Sequence, residues 1–86
     1  MGVFSALKKV ITGEVVKQID TAVQGGLCTM SLRLKRNRAS GDHYVVLAGL
    51  SSGNYQYFPM DKNDFEQFAK AVESIGESLR QASQKE

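Results

Sequence analysis

A chain of 86 residues is one domain's worth, and at that size only about 60–65% of the unfolded surface is buried on folding, so pairing with a second copy would add stability. Hydrophobic residues make up 42% of it and charged residues 23%, and no run approaches the roughly 18 apolar residues that a membrane span needs. Net charge is only +2, and the single cysteine, Cys28, excludes an intrachain disulfide and a cysteine-built zinc site; with no signal peptide in view, the expected location is intracellular, cytoplasmic or nuclear.

In chain order, residues 1–13 read as a short amphipathic helix or arm with Phe4, Leu7, Val10 and Ile11 on one side. Gly2 stands where an N-terminal acyl chain would be attached, and Lys8 and Lys9 suit an anionic lipid surface, but Ala6 replaces the Ser or Thr that this signal wants. Residues 14–60 carry the sheet. Glu14 to Gln24 fits two templates at once: Val15, Val16, Ile19, Ala22 and Val23 have helical spacing, while Val15, Ile19 and Val23 share one face of a strand. Gly25 and Gly26 end either element.

Leu27 to Lys35 alternates cleanly, with Cys28, Met30, Leu32 and Leu34 expected in the core and Thr29, Ser31, Arg33 and Lys35 facing outward. The loop from Arg36 to Asp42 continues the positive charge into what reads as a flexible tip, so that four of the eleven Lys and Arg residues lie between positions 33 and 38. Residues 1–41 hold seven Lys or Arg against two Asp or Glu, and residues 42–86 hold four against seven, a charge asymmetry that points to an anionic partner for one face.

Two β-favouring runs, Tyr44 to Leu50 and Tyr55 to Met60, flank the turn Ser51-Ser52-Gly53-Asn54 and predict an antiparallel hairpin. Tyr55 and Tyr57 fall on one side of the second strand and Phe58 on the other, toward the core; Pro59, which lacks an amide donor, marks its end. From Asn63 to Ala82 the apolar residues Phe65, Phe68, Ala69, Val72, Ile75, Leu79 and Ala82 form one stripe, predicting a helix over 63–82 with that stripe buried. Asn63 and Glu66 are spaced as cap and third helical residue, and Asp64 suits the positive end of the helix dipole.

Chemistry has little to work with. His43 is the sole histidine, the acids near the helix start read as capping groups, and no phosphate-cradling loop or nucleophile–base pair stands out, so the expectation is a non-enzyme with no metal and no cofactor. Binding is the better prospect. Arg33, Lys35, Arg36 and Arg38 are candidates for phosphate contact, and Tyr44, Tyr55 and Tyr57 for base stacking, which together describe a single-stranded nucleic-acid surface. The competing expectation is a protein-interaction or membrane-peripheral adaptor, the membrane entering only if Gly2 is acylated.

The stretch Tyr44-Val45-Val46-Leu47 through Gly53-Asn54-Tyr55-Gln56-Tyr57-Phe58-Pro59-Met60 to Asp64-Phe65-Glu66-Gln67-Phe68 resembles the strand-to-helix end of a PUR repeat and, less closely, the coactivator-type and Whirly single-strand binders. That resemblance covers about half the chain and has no counterpart of the PUR repeat's basic and aromatic contact residues in the N-terminal half. It implies a curved antiparallel four-stranded sheet crossed by one C-terminal helix, pairing of subunits as a homodimer, and binding of single-stranded DNA or RNA. If Glu14 to Val23 were helical instead, the order would be similar to the small Alu-RNA-binding subunits of the signal recognition particle. Either way the expected class is α+β: an antiparallel sheet of three to four strands packed against a C-terminal amphipathic helix, with a short N-terminal helix.

Overall fold

The computed structural model describes residues 8–84, and among them the architecture is α+β. Residues 8–11 are helical (α1); then follow β1 (Glu14–Val23), β2 (Cys28–Arg36), β3 (His43–Ser51), β4 (Asn54–Met60) and the long helix α2 (Lys62–Gln84). The strands form one antiparallel meander in the order β1-β2-β3-β4, each joined to its neighbour by a short turn or loop.

The segment with two readings is a strand. Its β-branched residues suit a pleated surface, and pairing with β2 supplies backbone partners that an isolated helix of that length would have had to find internally. The register slips between Val15 and Lys17, leaving Val16 as the extra residue of a bulge on this edge strand. Gln24, Gly25 and Gly26 all take positive φ (54°, 65° and 92°) in the β1–β2 turn, a left-handed run in which the glycines supply conformations that a side chain resists.

The basic loop is internally tied rather than a loose tip. The Asn37 amide donates to the Asp42 carbonyl (2.8 Å), the Gly41 amide to the Asn37 carbonyl (2.7 Å), and the Asn37 side-chain oxygen accepts from the amides of Ala39 and Ser40 (2.9 and 3.2 Å). This is the local side-chain capping for which Asn is favoured in turns.

Residues paired across strands share a face, so the register sorts the sheet into two surfaces. The polar face carries Gln18 and Asp20, then Thr29, Ser31, Arg33 and Lys35, then Tyr44, Val46 and Ala48, then Tyr55 and Tyr57. Ile19, Leu32, Leu34, Val45, Leu47, Phe58 and Met60 belong to the apolar face. The expected burial is inverted between them: the buried residues Ser31, Lys35, Tyr44, Val46 and Ala48 all lie on the polar face, while Cys28, Met30, Leu32 and Leu34 are only half-buried. The physical reason is coverage, because α1 and the residues after it lie against the polar face, whereas α2 meets the sheet only near its own start, at β3 and β4.

The helix runs Lys62–Gln84, slightly beyond the predicted span, and its cap is Asp61 rather than Asn63. The Asp61 carboxylate accepts from the Asp64 amide at 2.8 Å, and the Asp61 carbonyl accepts the first intrahelical bond from Phe65 at 2.9 Å. The apolar stripe is present but is not buried: Phe65 alone among its large residues is half-buried, and Val72, Ile75 and Leu79 are mostly exposed.

Candidate nucleic-acid interface

The seven predicted contact residues separate into three groups. Lys35 and Tyr44, paired across β2 and β3, are withdrawn beneath the N-terminal segment. Lys35, 5% exposed, points its ammonium at the carbonyls of Lys9 (3.2 Å) and Val10 (2.9 Å), the free acceptors at the end of α1. The Tyr44 hydroxyl shares its one proton between the carbonyls of Lys9 (2.9 Å) and Thr12 (3.2 Å), and the Lys9 ammonium lies 5.7 Å from its ring centre. Burial lowers the pKa of Lys35, with the nearby Arg33 charge adding to it, and raises that of Tyr44. Neither side chain is offered to a ligand in this arrangement; both anchor the N-terminal segment to the sheet.

Arg36 and Arg38 lie elsewhere. Arg36 alternates to the apolar side, where its guanidinium pairs with Glu14 at 3.2 Å, both side chains about half exposed. Arg38 is exposed in the β2–β3 loop, beyond the end of the sheet.

Arg33, Tyr55 and Tyr57 do come together. Arg33 donates from Nε to the Ser31 hydroxyl oxygen (3.1 Å) and holds its guanidinium 6.0 Å from the centre of the Tyr57 ring. To span those partners it must cross β3 at the level of Ala48, the residue paired with both Ser31 and Tyr57, which accounts for part of the complete burial of Ala48 and Ser31. Tyr57 is 38% exposed and Tyr55 65%, two phenol rings on one side of an edge strand with a cation beside the inner one. Across β2, the Asp20 carboxyl accepts from the Gln18 amide (3.2 Å); the Ser31 hydroxyl above all lowers its pKa, desolvation opposes this, and Gln18 and then the Arg33 charge add to the lowering.

The sequence reading placed Ser31 on the same face as Arg33 but missed Asp20 and Gln18 as their neighbours, although strand parity would have found them had residues 14–23 been assigned as β. Gly2, the candidate lipidation point, lies outside the described residues. Among the described residues no group of three or more His, Cys, Asp or Glu side chains could hold a metal ion, and no helix is long and apolar enough to cross a membrane. No family model matches the chain, and no curated protein or solved structure matches it either.

Proposed function

We propose that the chain is a small non-enzymatic binding protein whose polar face takes single-stranded nucleic acid, with Tyr55 and Tyr57 as stacking platforms and Arg33 as the phosphate or base contact. The observation that supports this reading is the Arg33–Tyr57 pair beside the open Tyr55 ring: stacking on an aromatic face is sequence-tolerant, and an adjacent guanidinium adds charge without demanding a particular base. Of the four predicted cations only Arg33 lies on this face and is not withdrawn, so the salt dependence should be shallow, about one phosphate's worth for each chain.

Titration of a labelled oligothymidylate at two or more salt concentrations tests it. Tyr57→Ala is expected to weaken binding by ~1–3 kcal/mol, the value of one stacked base, and Arg33→Ala to weaken it and lower the salt slope by about one. Arg36→Ala, on the other face, should leave both unchanged. No binding at low salt, or equal losses from Arg33→Ala and Arg36→Ala, would sink the proposal.

A further inference from the structure

We propose that two copies of this chain exchange their C-terminal helices, each α2 lying with its Phe68, Val72, Ile75 and Leu79 stripe across the apolar sheet face of the other copy. The inference uses the face opposite the nucleic-acid surface and does not depend on that reading.

Two complementary apolar surfaces are open on the same molecule. One is the helix stripe, with Val72, Ile75 and Leu79 at 55%, 69% and 65% exposure. The other is the sheet face, where Ile19 and Phe58 are exposed and Leu32, Leu34 and Leu47 only half-covered. Where α2 leaves the sheet, Leu34, Val45 and Phe65 line an open cavity of about 740 Å³. A 23-residue helix is about 34 Å long, comparable to strands of nine or ten residues at about 3.3 Å each. One helix therefore matches the length of one sheet face, while the polar residues Glu66, Lys70, Glu73 and Glu77 stay outward on its other side.

The area decides which occupant fits. The chain exposes 6754 Å², whereas folded monomers of 9.4 kDa expose about 5,000 Å². The surplus is about 1,700 Å² for each chain; covering all of it in a pair would bury about 3,400 Å², an upper bound that falls within the ~2,000–5,000 Å² of permanent dimers. A single unrelated helix could cover the sheet and would still leave α2 bare. A second copy covers both surfaces in one two-fold step, each helix meeting a sheet and each sheet a helix, so neither of the two is left to propagate a filament.

The test uses the full chain. Light scattering after size exclusion at micromolar concentration should give twice the 9.4 kDa chain mass. Ile75→Glu and Leu79→Glu, each at an exposed position of the separate chain, should each convert the pair to monomer. A sample mixing isotope-labelled and unlabelled chains should show proximity between the Ile75 and Leu79 methyls and those of Leu32 and Leu47 across chains. A wild-type mass of one copy, or helix-to-sheet proximity found only within a chain, would overturn the proposal. So would an assembly that survives both glutamate variants.

Discussion

Tyr44 shows how one side chain can tie distant parts of this chain together. Its ring lies on the polar face, its hydroxyl meets carbonyls 32 and 35 residues earlier, and Gly13 packs so closely that a Cβ there would collide with the hydroxyl. Gly13 also takes a positive φ of 86° as the chain turns from α1 into β1, so that position requires glycine on two counts. Because burial raises the Tyr44 pKa above its ordinary 10.0, the unfolded chain ionises first. The stability this group contributes is complete below pH 10.0 and is lost as pH climbs through the higher folded value. Lys35 acts the other way, since its lowered folded pKa makes stability rise with pH up to 10.5. The difference between wild type and Tyr44→Phe isolates the tyrosine: urea midpoints measured from about pH 9 to about pH 11 should fall less for the variant. None of this was legible in local sequence, where Lys35 and Tyr44 carried the same strand signal as Arg33 and Tyr57; what separates them is a covering segment 25 to 35 residues away.

At the scale of elements, strands with one consistent polar and one consistent apolar side were readable, and β2, β3 and β4 fall close to their expected places. β1 was ambiguous for a physical reason: as an edge strand exposed along most of its length, it is under little pressure to keep a two-residue alternation, and its valines and isoleucine fit either period. The helix start was legible to within two residues but its cap was assigned to the wrong side chain, because Asp61, Asn63 and Asp64 all carry cap-forming groups and it is the Asp61 carboxylate that accepts from the first-turn amide of Asp64. Asp61→Ala should therefore lower the unfolding free energy by ~1 kcal/mol in urea titrations, whereas Asn63→Ala should change it by no more than a few tenths. If the two variants proved equal, the assignment of the cap would be wrong.

The whole molecule is more extended than its length requires. Its radius of gyration is 15.2 Å and its extents are 51 × 30 × 24 Å, against about 12 Å expected for a compact chain of this size. The helix stripe was visible in the sequence, but its burial was not determined there, since periodicity reveals that a face is apolar and says nothing of which chain covers it. The proposed pairing by helix exchange would make folding a two-body event, so the thermal midpoint should rise with protein concentration. Differential scanning calorimetry over a hundredfold concentration range reads this directly, and a midpoint that stays fixed would speak for a self-sufficient monomer.

The Val16 bulge and Pro59 bear on a hazard of a different kind. A four-strand meander leaves two rows of backbone amides and carbonyls at its margins, each a template onto which an unrelated strand could zip and extend a fibre. At one margin the inserted valine throws the spacing of donors and acceptors out of step; at the other, the imide nitrogen of Pro59 has no hydrogen to give. A molecule with so much oily surface exposed is thereby shielded along its borders from the wrong kind of growth.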